Sequence, residues 1–296
     1  MTETGIILRW LHLLGGLSLP GIFLIGWLAH PGLPHVWRTR LDRLAFFSAL
    51  LLGASGALLL AYQSAVVTGQ PGSALDPAVW LSVLHGTRFG AVWSWRMSLT
   101  LVLALLILAR DRAEPALGRS VYFVLTAGMA VTIVGLMPWS GHAAAVETDG
   151  PFALISATLH LLAAALWFGA LAPLLWLLAG TVREQSGVER AFVVRAFKRF
   201  SALALGLMTI LILSGITNTL VHVASIPALL GTIYGRLVLL KIVLLAPLLA
   251  MAWHLRRRLG RFEQPAVSRH GARWLLREWL MAALITGIAA RLGLTL

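Results

Sequence analysis

Trp10-Leu11-His12-Leu13-Leu14, near the start of the chain, returns as Thr158-Leu159-His160-Leu161-Leu162, and the two histidines stand 148 residues apart in a sequence of 296. Each copy sets one histidine inside an apolar run. A second pair keeps nearly the same offset: Gly86-Thr87-Arg88-Phe89-Gly90 with Arg96 beyond it is echoed by Gly231-Thr232-Ile233-Tyr234-Gly235 with Lys241 beyond it. Similarity at half the chain length predicts two related halves, about 1–148 and 149–296, packed into a single domain. Binding sites in membrane folds of this kind lie where the repeats meet.

Composition fixes the surroundings of these repeats. Hydrophobic residues make up 59% of the chain and charged ones 12%, and the mean hydropathy is +0.86, which is outside the range of a domain whose surface faces water. The expectation is an all-α, polytopic membrane protein. With no cysteine, thiolate metal sites and iron–sulfur clusters are excluded, so a metal has to be held by imidazole, thioether, carboxylate or backbone oxygen. The first apolar run is long enough to span, and no small-residue cleavage site follows it, so it reads as a transmembrane helix rather than a signal peptide.

About 20 residues at 1.5 Å each cross a hydrocarbon core of about 30 Å. Eight stretches meet that requirement: 5–29, 44–67, 90–109, 120–138, 152–180, 200–221, 233–254 and 275–295. The connections after the odd-numbered stretches hold three, three, five and, with Arg277 at the start of the eighth stretch counted in, seven lysines and arginines, 18 of the 24 in the chain, whereas the even-numbered connections hold almost none beyond Arg88. The positive-inside rule then puts the odd connections in the cytoplasm and both termini on the external side. The net charge of +13 is accounted for by this asymmetry, with anionic lipid in the bilayer as its partner. The basic residues are split among short loops and lack interleaved aromatics, so they do not form a nucleic-acid face.

On this topology His12, His85, His142, His160 and His222 all fall on the external side. His12 and His160 lie about 10–12 Å inside the boundary, counting seven or eight residues at 1.5 Å each. An ionisable group at that depth is costly unless it faces the bundle interior and has a partner, which makes it a functional candidate. His142 follows the fourth stretch, and Met137 and Met97 sit at similar depth. The histidines with Met137 form an imidazole and thioether set suited to copper. The competing reading of a lone intramembrane histidine is a hydrogen bond between helices, and that of a methionine is gap filling. Pairs such as Ser55-Gly56 and Ser214-Gly215 read as places of close helix approach.

Arg96 and Lys241 occupy repeat-equivalent positions in the outer leaflet. They either snorkel to the headgroups or face an anionic group such as a haem propionate or a quinone. No aspartate or glutamate is expected in a helix centre, which disfavours a carboxylate proton relay. Between the second and third stretches, Asp76-Pro77 followed by Ala78 to Leu84 and Gly86 has an N-cap, a first-turn proline and a terminal glycine. It predicts a short helix lying in the interface and ending at His85.

Leu159-His160-Leu161-Leu162 with Leu166-Trp167-Phe168-Gly169-Ala170-Leu171, Gly141-His142-Ala143, Thr87-Arg88-Phe89-Gly90 to Arg96, and Tyr234-Gly235-Arg236-Leu237 to Lys241 together resemble the copper-resistance protein D (CopD) family. The resemblance covers most of the chain. It implies an eight-helix bacterial inner-membrane protein that handles copper, often with a periplasmic copper-binding partner of the CopC type.

Two classes of function remain at this point. In one, His12, His142 and His160, with His85, His222 and Met137 nearby, bind copper close to the periplasmic face, and the protein transports it or confers resistance. In the other, His12 and His160 ligate haem b axially, or serve a quinone, while Arg96 and Lys241 bind the anionic groups. A copper-dependent membrane enzyme is a third and weaker reading; a transporter or copper-binding protein is favoured over an enzyme.

Overall fold

A computed structural model describes residues 2–29, 34–140, 150–184, 187–223, 225–257 and 265–294. Every regular element among them is helical. The order is α1 (Thr2–Leu28), α2 (His35–Thr68), α3 (Pro77–Gly86), α4 (Arg88–Leu108), α5 (Arg110–Leu117), α6 (Arg119–Gly135), α7 (Gly150–Glu184), α8 (Gly187–His222), α9 (Ile226–Gly231), α10 (Ile233–Arg257) and α11 (Pro265–Leu292), with 3-10 turns at Pro71–Leu75 and Met137–Ser140.

Seven of these helices are long and apolar enough to cross a membrane by length and composition. Their outer faces carry exposed apolar side chains such as Phe47, Leu213 and Val243. Apolar exposure on that scale suits a hydrocarbon solvent, and helices meet the demand that every backbone group be satisfied internally. The expected eighth span, 275–295, corresponds to the C-terminal part of α11. That helix is not among the seven, because its first half carries Arg269, Arg273, Arg277 and Glu278.

The helices also outrun the expected limits at their basic ends. Helix α8 starts at Gly187 rather than 200, and α2 at His35 rather than 44. Basic residues counted as loop therefore lie on helical turns, and some of them cap neighbouring helices. Arg199 donates to Leu28 O at 2.8 Å, satisfying a carbonyl of the last turn of α1, and Arg256 ties α10 to the interior of α8 by donating to Ser201 O at 2.9 Å. At the opposite end of the bundle Arg9 donates to Gly293 O at 2.9 Å, and the Trp10 indole N–H to Ala283 O at 2.9 Å, which ties the start of α1 to the end of α11.

Local signals set the short elements. Asp76 accepts from Ala78 N at 2.9 Å and Pro77 opens α3, as expected of an N-cap with a first-turn proline. Thr87 and Thr232 repeat one device: each hydroxyl accepts from the amide three residues on, Gly90 at 2.9 Å and Gly235 at 3.0 Å. At both of these glycines a Cβ would strike the backbone of the preceding short helix, Val83 O and Leu229 O respectively, so only glycine allows the sharp turn from α3 into α4 and from α9 into α10.

Helix α1 lies at the centre. Its Leu19 and Ile22 pack with Leu52, Leu103, Ile133 and Met137 of the N-terminal helices, while its Leu17 and Ile25 pack with Ala165, Phe168, Leu174 and Phe197 of the C-terminal ones. The crossing of α1 with α7 is main chain on main chain. A Cβ at Gly21 would overlap the backbone of Gly169 and Ala170, and one at Gly169 would meet Leu17 O, Ser18 O and Gly21 N.

Candidate functional site

His12 enters from α1 between α2 and α4, where it is 6% exposed. Its Nδ1 lies 3.2 Å from Ser55 Oγ, and the Ser55 hydroxyl lies 2.6 Å from Leu51 O. A carbonyl can only accept, so the serine proton goes to Leu51 and the imidazole donates from Nδ1. Nε2 is then a lone pair, and Arg96 Nη2 donates to it at 2.7 Å. Arg96 is 4% exposed, and its Nε donates to Ile133 O at 3.2 Å. Both nitrogens of His12 are therefore occupied. Gly56 makes room for this packing: a Cβ there would press on Met97 Sδ and come within 3.4 Å of His12 Cε1.

The second copy has the same plan with one difference. His160 Nδ1 lies 3.1 Å from both Leu211 O and Ser214 Oγ, and the Ser214 hydroxyl lies 2.6 Å from Ile210 O. By the same reasoning Nδ1 carries the proton. Gly215 lies against the ring, a Cβ there falling 3.3 Å from His160 Cε1. Lys241, at the position of Arg96, is close enough for its charge to act on the imidazole, yet it makes no hydrogen bond to it. His160 Nε2 has no hydrogen-bond partner among the described residues. The result is an unprotonated ring nitrogen with its other N–H fixed on a carbonyl, the arrangement usual for metal-bound histidine.

The remaining candidates are distributed around these two groups. His85 is exposed at the end of α3. His222 ends α8, with its Nδ1 2.9 Å from Asn218 O and its ring stacked on Tyr234. Met137 is buried, with its methyl against Gly16, so of the two methionines it is Met97 that shares the glycine beneath His12. His142 lies outside the described residues. Among the described residues no three His, Asp or Glu side chains converge as a metal cage. Each of the two deep histidines is bonded within its own set of helices, α1, α2 and α4 or α7 and α8.

Three features went unread in the sequence. Ser55 and Ser214 orient the imidazoles as well as easing helix approach. Arg96 does not snorkel; its guanidinium turns inward onto His12. Glu278, expected outside any helix centre, is the fourteenth of the 28 residues of α11 and is 3% exposed.

Comparison with known proteins adds the family. Residues 1–154 match the copper resistance protein D-like N-terminal domain, and residues 194–292 match copper resistance protein D. The chain is 31% identical over 256 residues to the inner membrane protein YebZ of Escherichia coli (strain K12), covering 84% of this chain and 82% of that protein. It is 30% identical over 210 residues to the copper transport protein CutJ of Bacillus subtilis (strain 168), covering 70% of this chain but 37% of that longer protein. No solved structure matches. The doubled histidine helices, the capped turns into α4 and α10 and these two matches together show that the chain belongs to the copper resistance protein D family.

Proposed function

We propose that this protein handles copper in the bacterial inner membrane, binding the ion near the periplasmic face through Nε2 of His160 and mediating its transport. The observation that carries this reading is the free nitrogen. A neutral imidazole whose Nδ1–H is fixed by Leu211 O and Ser214, and whose Nε2 has no partner among the described residues, is preorganised as a ligand. Copper accepts imidazole and thioether donors, and the family and the name of the related transport protein point to the same ion. His85 and His222 then serve as entry ligands at the mouth, His142 remains a candidate ligand outside the described residues, and a periplasmic CopC-type protein is the donor. Lys241 favours the monovalent ion, since its repulsion acts on one charge rather than two.

The two histidine groups divide the labour in this proposal. The chain is two related four-helix halves, α11 counted as the eighth span, joined where Gly21 meets Gly169, which are 148 residues apart like the histidines. The C-terminal half keeps an open ligand, while the N-terminal half has Arg96 in its place. A haem held between His12 and His160 would need Nε2 of both, and Arg96 already occupies that of His12.

Two outcomes test the scheme. Arg96→Leu frees Nε2 of His12 next to Met97, so copper bound per protein should rise from about one to about two, measured by elemental analysis after gel filtration; unchanged stoichiometry would count against the plug. A reporter fused after Leu296 should be active only as a periplasmic enzyme, because the basic helix ends hold the other side in the cytoplasm. Activity of a cytoplasmic reporter at that site would invert the orientation.

A further inference from the structure

Glu278 is the acidic side chain that the copper site leaves unused. It sits at the middle of α11, the helix that packs on α1, α7 and α10, is buried, and makes no hydrogen bond or ion pair with any described residue. A bare carboxylate in such surroundings is expensive, so the group persists there as the acid or pairs with an arriving cation. The charged and titratable groups on the neighbouring helices are engaged elsewhere or stand at other levels. On α1, Glu3 lies at the far end, Arg9 holds Gly293 O, and His12 holds Ser55 and Arg96. On α7 the groups are His160 and, at its last two positions, Arg183 and Glu184. On α10, Arg236 donates to Leu230 O, Lys241 acts on His160, Arg256 donates to Ser201 O and Arg257 stacks on Trp253. On α11 itself Arg277 stacks on Trp274.

The exception is His254 of α10. One turn below Glu278, on the same face of α11, Trp274 packs on the His254 ring with centroids 4.9 Å apart, and His254 Nε2 is buried without a hydrogen-bond partner. Another turn down, His270 accepts the Trp274 indole N–H at 2.7 Å and is exposed at the basic end. Glu278, Trp274 and His270 thus follow at four-residue steps on one face of α11, about 12 Å from first to last at 1.5 Å per residue, and the His254 ring lies against the middle one. Above Glu278, Trp279 stacks on Phe168, and His160 lies eight residues further along α7.

We propose that Glu278 is an intramembrane proton-binding site, exchanging its proton with the basic face of the bundle through His254 and His270, and that it releases this proton when copper occupies His160. The second clause rests on the copper reading above. In the exchange a carboxyl O–H bond breaks, the proton passes to His254 Nε2 and on to water at His270, and the carboxylate left behind offsets the charge of the metal that has entered. No electron is transferred.

The test uses the full-length protein in liposomes and N,N′-dicyclohexylcarbodiimide, which modifies protonated carboxyls in apolar surroundings, with peptide mass mapping as the readout. Glu278 should be modified, the labelling should fall several-fold between about pH 6 and pH 9, and copper should slow it. Glu278→Gln should abolish the label at this position, and Glu278→Asp should keep it. With a pH dye inside the vesicles, copper entry into wild-type liposomes should be accompanied by proton movement that Glu278→Gln lacks while it still binds copper. No labelling of Glu278, or labelling indifferent to pH, overturns the proton site. Proton movement undiminished in Glu278→Gln overturns the coupling. A wild type that moves no copper defeats the transport reading alone, since the labelling still decides whether Glu278 binds a proton.

Discussion

Replacing His160 by alanine is expected to lower copper affinity by more than about a hundredfold and leave the purified protein without metal. Even partners in the outer shell of a metal-bound histidine are worth about 10–100-fold, and here the ligand itself goes. Ser214→Ala supplies the graded comparison. It removes one of two acceptors from Nδ1–H while Leu211 O remains, so copper should weaken by about tenfold, at the low end of that range. The fold should survive His160→Ala, because the groups left unpaired are a carbonyl and a hydroxyl, at about 1–3 kcal/mol each when buried, and Ser214 still bonds Ile210 O. His12→Ala should behave in the opposite way, keeping copper but losing stability, because it strips Arg96 of its Nε2 partner inside the bundle. Elemental analysis and a thermal melt of the three variants separate these outcomes. Full copper occupancy in folded His160→Ala would remove this residue from the ligand set and send the search to His142 and His222.

The helices, the doubled segment and the short α3 were legible because each rests on a local pattern: apolar length, a repeat in one register, a cap with proline and glycine. The site was legible only as far as residue type. Ser55 and Ser214 precede glycines, and that spacing reads as close packing in any membrane helix. The glycines do create closeness, and what they bring close is an imidazole edge, 3.4 Å from Gly56 and 3.3 Å from Gly215 by their would-be Cβ atoms. Nothing in sequence spacing tells which way a serine hydroxyl points, yet that direction assigns the proton on each ring.

Arg96 was harder still, since an arginine six residues into a helix reaches headgroups as easily as it reaches inward. Its direction is set by Ile133 O on α6 and His12 on α1, two helices far away in sequence. Glu278 was missed for a different reason. The stretch from Arg269 to Arg277 is as polar as a loop, so apolar length alone starts the span at 275 and leaves the glutamate at its margin. In the folded chain the helix starts at Pro265. Exposed Arg277 and buried Leu275 and Glu278 then occupy different faces of one amphipathic helix.

Gly21→Val should be the most damaging substitution outside the histidine groups, with the protein failing to survive extraction as a monodisperse species. At most of the described glycines an added methyl meets open space or a side chain that can turn away. At Gly21 it meets the main chain of Gly169 and Ala170, and the reciprocal probe at Gly169 meets Leu17 O, Ser18 O and Gly21 N. Neither backbone can rotate out of the path without breaking its own helix, so α1 and α7 must move apart. Lipid supplies no hydrophobic force to pull them back, because association of membrane helices depends on this close packing. The expected cost is about 3 kcal/mol or more, at the upper end of overpacking. Separation there would also spread the core on both sides, since Leu17, Leu19 and Ile22 flank the crossing. Gly53→Ala is the control: nothing lies within 4 Å of its would-be Cβ, and the helix should gain about 0.5–1 kcal/mol from the lost glycine flexibility. Size-exclusion profiles and melts of Gly21→Val, Gly169→Val and Gly53→Ala in one detergent decide the matter. Wild-type behaviour in the first two would mean that α1 and α7 do not meet backbone to backbone.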